Sequence, residues 1–378
     1  MPKAVCHTIS DTSQGMTTIK DSRVLRPVLL TARFWYYLVV QSPAIWGCVR
    51  SRQRKPWRTV FADVLALWAH WRMFPFHYFR YRLYEGRGQT RADLREYIPE
   101  FYFYHVFLPK LHDPAYTALL QNKIMLHKML AMKRVPTPNV LMWTEGGGLF
   151  DATCSPLDPA RAEGALQPCT RVFVKPAGGM GGEGIRVFTR TAAGVLENGN
   201  GDVLDSPYLG RLCSEGDFVV QEGLQQVEEL NRLHPRSVNT LRILTRTEGP
   251  AVCPLVAILR MGRGGTMVDN SAQGGLSCEV DLDSWRLRGP AHSEHPVADY
   301  AEHPDTGLPF TQELPLKDAV RGLLESAASL FPKSRLLGWD VALTVSGPVV
   351  IEVNVHAGID HLQITCQRGL KHDLGIER

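Results

Sequence analysis

The sequence predicts an α+β fold of mostly antiparallel strands, preceded by a helical region. Apolar residues recur at helical spacing through the first hundred or so positions, whereas the rest of the chain consists mainly of short β-rich runs. The chain has 378 residues and is 44% hydrophobic, which is enough for one large or two modest cores. We therefore expect a globular protein of two or three lobes.

The helical region carries start and stop signals. Positions 59–74 have apolar residues at helical spacing and end before Pro75. These residues are Val64, Trp68 and Trp71. Thr90, followed three residues later by Asp93, predicts the start of another helix.

A further helix is predicted to begin at Asp113, because this capping residue precedes Pro114 at the first helical position. The helical pattern continues to about Arg134, where the segment 135–138, Val-Pro-Thr-Pro, ends it. Lys123 lies within this predicted helix.

Short β-rich runs follow, together with a late helix from Lys317 to Phe331. In chain order the runs are NVLMW, RVFVKP, IRVFTR, DFVVQE, TLRILT, VAILRM, GWDVALT and VVIEVNV. Gly146 to Gly148 and the stretch rich in Asp, Pro and Ala up to Pro168 are predicted to form a loop or linker.

Composition narrows the classes of protein. The eight cysteines include no Cys-x-x-Cys pair and no Cys/His cluster at zinc spacing, which predicts free thiols in a reducing cytoplasm. The apolar window 27–49 is interrupted by Arg33 and by a Gln-Ser-Pro break at 41–43, so it falls short of the roughly 20 residues of a membrane span and predicts a buried helix. Residues 1–22 are polar and predict a tail that is disordered or locally docked.

Charge is distributed unevenly along the chain. Residues 1–150 carry 21 Lys/Arg and 9 Asp/Glu, a net charge of 21 − 9 = +12, which leaves −8 for the remainder of a chain whose total is +4. Basic residues interleaved with aromatics suit a nucleic acid, an anionic membrane or an anionic substrate. A solvated face around a helical core is the favoured interpretation, so no nucleic-acid partner is predicted.

The stretch FVKPAGGMGGEGIRVF, Phe173 to Phe188, places Lys175 before a run of glycines. A strand follows the glycines, whereas the dinucleotide fingerprint requires a helix there, and Walker A places its lysine after them. A glycine-rich flap between two strands lets backbone N–H groups close over phosphate oxygens while the lysine supplies a charge. The glycines concerned are Gly178, Gly179, Gly181 and Gly182. A plain hairpin with a mobile loop is the alternative.

A second group of polar residues lies near the end of the chain. Glu352 and Asn354 are two apart on a predicted strand and so share one face. An odd-length turn such as 345–347, with Gly347 left-handed, would set Asp340 opposite Glu352. Two carboxylates and an amide are ligands suited to Mg²⁺ bound to a nucleotide. A solvated strand face is the alternative.

Together these features resemble the ATP-grasp superfamily. Within it, the stretches HPRSVNTLRILT (His234 to Thr245), VDNSAQGG (Val268 to Gly275) and LYEGR resemble the sugar-transfer-associated ATP-grasp family. The resemblance runs from roughly Phe74 to Gln363 and implies that two α+β lobes clamp ATP. The implied division is a helical N-terminal region at 1–110, a small lobe with the flap at 111–222, and a large lobe with the magnesium site at 223–378.

The resemblance also implies roles for particular residues. Lys123 and Lys175 would contact the phosphates, although a surface position explains Lys123 as well. Arg242 would stabilise charge on the transferring phosphoryl group, or else pair with Asp269. The adenine hinge would be formed by Gln221, Glu222, Gly223 and Leu224, and the ribose would be bound by Glu228 or Glu229.

Substrate residues are predicted with less detail. The family's motifs contain Asn239, Asp269 and Asn270, which would either order the site or touch substrate. His356 and His361 follow the metal motif, where the sequence departs from the family. Either histidine would act as a base for an amine or be a hydrogen-bonded surface residue.

ATP-grasp enzymes commonly form an amide through an acyl phosphate, so the leading hypothesis is a carboxylate–amine ligase that uses ATP and Mg²⁺. The alternatives are a small-molecule kinase and a non-catalytic nucleotide-binding partner of a glycosyltransferase complex. Small-molecule acids and amines are the expected substrates, in polysaccharide, glycoconjugate or natural-product synthesis. Peripheral membrane association and homo-oligomers are left open.

Overall fold

The computed structural model describes residues 38–179, 183–295 and 297–377, and it divides into two compact units. One unit ends at Pro99 and includes the last residues from Ile376, and the other runs from Glu100 to Gly375. Helices of the first unit are α1 (Ser42–Arg50), α2 (Trp57–Trp71), α3 (Phe76–Arg80) and α4 (Arg91–Glu96). The predicted 1–22 tail lies outside the described residues.

Helix α2 confirms the helix predicted for this region, but of the three residues that predicted it Trp71 alone is buried. The buried residues are Val60, Asp63, Leu67 and Trp71. Trp68 is 50% exposed because it lies on the opposite stripe of the helix, with Phe61 and Leu65. The Asp63 carboxylate accepts hydrogen bonds from Lys55 and from the Tyr78 hydroxyl, which satisfies this buried charge.

Two further predictions for this unit have different outcomes. Thr90 and Asp93 form a capping box at the start of α4, as predicted. Within the window 27–49, residues 27–37 lie outside the described part of the chain, and the prediction of a buried helix is wrong for α1. In α1, Cys48 is buried, whereas Trp46 is 58% exposed. The helix has more apolar side chains than it has positions that point toward the rest of the unit.

The second unit contains helices and strands in alternation. It opens with α5 (Glu100–Tyr102), a π-helical turn (Phe103–Phe107) and a 3₁₀ turn (Leu108–Lys110). The longer helices are α6 (Pro114–Gln121), α7 (Lys123–Met132), α8 (Pro159–Leu166), α9 (Ser206–Glu215), α10 (Glu228–Leu233), α11 (Lys317–Ala328) and α12 (Ile359–Cys366), with a 3₁₀ turn at Ser271–Gln273.

The strands of this unit form two antiparallel sheets. The first has the order β2-β1-β6-β3-β4-β5, with β1 (Val140–Glu145), β2 (Gly148–Asp151), β3 (Arg171–Pro176), β4 (Arg186–Arg190), β5 (Leu196–Glu197) and β6 (Phe218–Glu222). The second has the order β11-β10-β9-β8-β7-β12-β13, with β7 (Thr240–Glu248), β8 (Ala251–Met261), β9 (Leu276–Val280), β10 (Leu287–Glu294), β11 (Val297–Tyr300), β12 (Leu336–Thr344) and β13 (Gly347–Asn354). The predicted α+β fold with antiparallel strands is confirmed.

The six-stranded sheet is covered on both faces. Helices α8 and α9 pack on one face in a core that includes Leu166, Phe188 and Leu209. A smaller cluster containing Ile124 of α7 and Trp143 of β1 forms on the other. This arrangement fixes α7, and with it Lys123, against the sheet that carries the flap.

Two local predictions for this unit are wrong. The single helix expected from Asp113 to Arg134 breaks at Asn122, whose extended backbone and side chain cap α7 through the amides of Ile124 and Met125. The loop expected from Gly146 to Pro168 contains β2 and α8. Asp158 caps α8 and proline occupies the first position of this helix. These two residues are a helix start signal, which was interpreted as loop composition.

Candidate active site

Three charged side chains stand in one row across adjacent strands of the seven-stranded sheet. Asp340 on β12 pairs with Arg242 on β7 and with Glu352 on β13. Directly paired residues of antiparallel strands point to the same face with close Cβ atoms, so the three side chains lie side by side. The predicted opposition of Asp340 and Glu352 is confirmed.

The pairing of Asp340 with Glu352 arises differently from the predicted turn. Thr344 pairs with Gly347, so the turn has two residues, and the extra residue enters as a β-bulge at Ile351. Gly347 does have a positive φ, of 113°. Because of the bulge, Ile351 and Glu352 both line the same cavity, although Ile351 was expected on the other face.

The Asp340 carboxylate accepts four hydrogen bonds, three of them on Oδ2. Arg242 donates to it twice, from Nε to Oδ1 and from Nη2 to Oδ2, both at 2.8 Å. Arg260 Nη1 and Asn354 Nδ2 also donate to Oδ2, at 3.0 and 3.4 Å. Burial acts to raise the pKa of Asp340, but the two arginines outweigh it and lower the pKa to about 2. The carboxylate is therefore ionised at neutral pH.

Arg260 is a site residue that the sequence interpretation missed. Its guanidinium bridges Asp340 and Asp269, with Nη2 3.0 Å from Asp269 Oδ1. Asp269 also accepts a hydrogen bond from the Thr240 hydroxyl. The pairing with Asp269 that was the alternative for Arg242 is therefore made by Arg260, and Arg242 pairs with Asp340. A lone cation near the end of the apolar run VAILRM was the available signal.

Two lysines approach this row from the six-stranded sheet and α7. Lys175 lies near the end of β3, with Nζ 5.4 Å from the centroid of the Phe173 ring. Burial lowers the pKa of Lys175 to about 8, and Lys123 acts in the same direction against the opposing effect of Glu352. Lys123 Nζ donates to the Gly179 carbonyl at 3.0 Å and lies 3.7 Å from Glu352 Oε1. Lys123 therefore links the glycine-rich flap to the hairpin.

These groups surround one cavity of about 350 Å³, a size found for small-molecule sites. The predicted residues that line it are Lys123, Lys175, Gly178, Gly179, Glu222, Leu224, Arg242, Asp269, Asn270, Asp340, Glu352, Asn354, His356 and His361. Gly181 and Gly182 lie outside the described residues. The flap and the carboxylate hairpin thus face a common space, as the sequence predicted.

Some predicted residues are placed elsewhere. Glu222 and Leu224 line the cavity, whereas Gln221 is buried and Gly223 lies against Arg171. Glu228 and Glu229 are exposed in the first turn of α10 and are absent from the lining. Their assignment to the ribose remains a prediction.

Asn239 is fully buried and its amide serves the backbone. Nδ2 donates to the carbonyls of Leu230 and His234, both at 2.9 Å. Oδ1 accepts from the Gly262 amide at 3.3 Å. These contacts favour the ordering role over substrate contact, because they leave the side chain directed away from the cavity lining.

The two histidines after the metal motif have different surroundings. His361 is bonded on both ring nitrogens, to Glu294 Oε1 at 3.1 Å and to Ser277 Oγ at 2.8 Å. His356 packs edge-on against the Tyr104 ring, and burial lowers the pKa of His356. The lowered pKa favours the neutral imidazole, and His356 lines the cavity.

The sequence profile described as sugar-transfer associated ATP-grasp matches residues 102–376, well over half of the chain. The chain belongs to the sugar-transfer-associated ATP-grasp family. The resemblance inferred from the motifs is thus confirmed. No curated protein sequence matches the chain significantly.

Solved structures similar to this ATP-grasp chain include several ligases. The ATP-grasp ligase PsnB complexed with a minimal precursor is 16% identical over 70% of this chain and 62% of its own, with a TM-score of 0.39. D-cycloserine synthetase DcsG is 14% identical over 71% and 74% of the two chains, with a TM-score of 0.39. D-alanyl-alanine synthetase A from Vibrio cholerae is 14% identical over 69% and 62%, with a TM-score of 0.41. The chain thus spans less than two thirds of the length of PsnB and of the Vibrio cholerae protein.

The oxygen ligands that this ATP-grasp chain offers fit a divalent cation. Asp340, Glu352 and Asn354 lie on two paired strands, and Asn354 turns its Nδ2 toward Asp340, which leaves its carbonyl oxygen as the remaining ligand atom. Carboxylate and amide oxygens are the hard ligands that Mg²⁺ selects.

In the described part of the chain, no helix combines the length and apolar character that a membrane span needs.

Proposed function

We propose that this protein is an ATP- and Mg²⁺-dependent ligase that joins a carboxylate to an amine through an acyl phosphate. The observation that carries the proposal is the position of Asp340 and Glu352 on the same cavity as Lys123 and Lys175. Anionic ligands for a cation and cations for phosphate oxygens are the two sets of groups that a magnesium nucleotide requires.

Lys123 supports this proposal because its present partners are replaceable. The Glu352 carboxylate, 3.7 Å away, and the Gly179 carbonyl are weak substitutes for a phosphate. Lys175 is half-buried and, with a pKa of about 8, is mostly charged at neutral pH. When a triphosphate enters, both ammonium groups can turn to its oxygens while Glu352 becomes available for the metal.

Magnesium bound by Asp340, Glu352 and Asn354 would neutralise the triphosphate and polarise its terminal phosphoryl group. Arg242 and Arg260 hold Asp340 ionised and in a fixed orientation. Their own charges are already partly offset by Asp340 and Asp269, so the site gains its positive character mainly from the lysines.

In the proposed reaction, a carboxylate oxygen of the acid attacks the γ-phosphorus of ATP and the bond to ADP breaks. The amine then attacks the acyl carbon, loses a proton, and phosphate leaves with the oxygen that came from the acid. His356 lines the cavity as a neutral imidazole and is the proposed acceptor of that proton. The balance is acid, amine and ATP to amide, ADP and phosphate.

A kinase that stops at a stable phosphoester would use the same phosphate groups, and a non-catalytic nucleotide-binding partner would show no turnover. Acids labelled with ¹⁸O separate these possibilities. A ligase transfers one ¹⁸O from the acid to inorganic phosphate, whereas a kinase produces a phosphorylated product and no free phosphate. Acids should be crossed with amines, with ADP release as the first screen and mass spectrometry as the second.

Glu352→Gln should abolish nucleotide turnover, because it removes a charged metal ligand, and should leave the fold intact, because the side chain is 24% exposed. The measurement is ADP release with the best acid–amine pair, together with circular dichroism. Glu325→Gln, the same change on the exposed side of α11, is the matched control and should keep full activity. Unchanged ADP release by Glu352→Gln would contradict the metal assignment.

A further inference from the structure

We infer that His234, His303 and Asp305 form a second metal site, of the zinc class, outside the nucleotide cavity. One ligand atom from each of these residues lies within 4.8 Å of the other two. His234 Nδ1 and Asp305 Oδ2 are 3.5 Å apart. Ligands about 2.0–2.2 Å from a tetrahedral Zn²⁺ are separated by roughly 3.3–3.5 Å, so this pair already has the required spacing.

Hydrogen bonds on the far side of both rings fix the tautomer that metal binding needs. His234 Nε2 faces the Thr266 carbonyl at 3.2 Å, and His303 Nε2 faces the Gly262 carbonyl at 3.0 Å. A carbonyl oxygen only accepts, so each Nε2 carries a proton, and the neutral form of each ring has its lone pair on Nδ1. Donation of the second ring nitrogen to a backbone carbonyl is the usual support of a metal-bound histidine.

The surroundings hold the two rings in place. His234 and His303 are almost completely buried and stack with an interplanar angle of 26°. A Cβ atom on Gly262 would come within 2.7 Å of the His234 ring, so the backbone approaches the ring as closely as glycine allows. The Asp305 amide donates to His303 Nδ1 at 3.3 Å, a long bond that a metal would replace.

Asp305 gives the site both its charge and its entrance. Its side chain is 34% exposed, so an ion can reach the buried imidazoles from solvent. Two imidazoles and one carboxylate make a three-residue set with a fourth position for water, which suits Zn²⁺, Co²⁺ or Ni²⁺ better than Mg²⁺ or Ca²⁺. The residues are not part of the cavity lining, so the site is separate from the nucleotide site.

The site would fasten together three segments that are distant in sequence. His234 follows α10, the Gly262 and Thr266 carbonyls follow β8, and His303 with Asp305 follow β11. The His234 carbonyl also accepts from Asn239 Nδ2. Bound metal would therefore stabilise the segment that leads into β7 and Arg242, which assigns it a structural role.

The test uses the full chain, treated with a chelator, dialysed without Mg²⁺ and then equilibrated with Zn²⁺ or Co²⁺. Metal analysis should show one tightly held equivalent per chain, and Co²⁺ should give tetrahedral d–d absorption without thiolate charge-transfer bands. Asp305→Asn should raise the Kd for the metal at least about tenfold and lose the metal-dependent rise in Tm. This exposed ligand is chosen because its change leaves the buried rings in place.

Asp299→Asn is the matched control, because Asp299 Oδ1 lies 2.8 Å from Nδ1 of the buried His292 in another His–Asp pair. It should retain the full equivalent, and so should Glu352→Gln, which separates this site from the nucleotide site. Absence of tight metal in the unmodified chain, or equal retention by Asp305→Asn, would show that the cluster is only a hydrogen-bonded pair.

Discussion

Asp340 has two arginines as neighbours, and this pairing explains why a nearly buried carboxylate remains ionised. Arg242 and Arg260 donate three hydrogen bonds to it from the strands β7 and β8. Removal of one member of such a group leaves an uncompensated buried charge, which costs about 3–5 kcal/mol. Glu352, with a partly exposed side chain, is therefore the better position at which to separate chemistry from folding.

Lys175 should make nucleotide binding depend on pH. Its pKa of about 8 means that the ammonium is mostly charged at pH 7 and mostly neutral at pH 9. The affinity for a non-hydrolysable ATP analogue should therefore fall about tenfold over this interval, since one pKa unit corresponds to a factor of ten. Calorimetric titration at both pH values measures this change.

Lys175→Arg is the control for this pH dependence. Arginine keeps its charge throughout the range, so the affinity of the variant should vary little between pH 7 and 9. An equal pH dependence in the variant would assign the titration to another group.

Single residues also show where sequence interpretation succeeds. Asp340 and Glu352 were predicted to face each other through an odd-length turn, whereas the structure reaches the same pairing through a two-residue turn and a bulge at Ile351. Arg260 was not predicted, because its role depends on the register of β8 against β7, which no local signal reports. Asn239 lies in a motif as prominent as that of Arg242, yet its partners are backbone carbonyls.

At the scale of elements, helix α2 offers two leucines with opposite environments. Leu67 is 1% exposed and Leu65 is 62% exposed. Leu67→Ala should lower the free energy of unfolding by about 2–5 kcal/mol, because it removes buried methyl groups and leaves a cavity. Leu65→Ala should change it by less than about 0.5 kcal/mol. Urea denaturation of the full chain measures both.

Equal destabilisation by the two substitutions would mean that the exposed stripe of α2 is covered in solution. The sequence could predict that α2 is a helix, but not which of its apolar stripes is buried, because both stripes have helical spacing. Asp63 shows the difficulty, since this acidic residue belongs to the buried face through its bonds to Lys55 and Tyr78.

Strand prediction succeeded where the pattern was strong and failed where composition concealed it. The runs that became β7, β8, β12 and β13 are rich in β-branched and other apolar residues. By contrast, β10 contains a Gly-Pro pair and several polar side chains, so pairing with β9 and β11 defines it more than propensity does. The sequence did contain a signal for the helix break at Asn122, because asparagine is a capping residue and it lies inside a helical pattern.

At the scale of the whole molecule, nucleotide binding should stabilise the chain by linkage. A magnesium–ATP analogue at about 100 times its Kd should raise the free energy of unfolding by about 2.7 kcal/mol, because it binds the folded state alone. Thermal denaturation with and without the analogue measures this effect. Glu352→Gln should show a smaller gain at the same concentrations, and an equal gain would place the metal elsewhere.

The division of the 100–375 unit into two sheets explains why the site was predictable in outline. The two lysines come from the six-stranded sheet and α7, and the carboxylates Asp340 and Glu352 come from the seven-stranded sheet. Each contribution has its own local signal. The cluster of His234, His303 and Asp305 lacks one, because His234 is far along the chain from the other two residues.

The bulge at Ile351 separates the tip of the β12–β13 hairpin from the end that lines the cavity. The offset that brings Glu352 level with Asp340 arises several positions away from Val345 and Ser346 at the turn. Residues at the tip can therefore be exchanged for another two-residue connection without shifting the acidic pair. Loss of Ile351 would remove the bulge and leave Glu352 directly after Val350, where regular pairing still sets it opposite Asp340, so the acidic pair should tolerate this deletion as well.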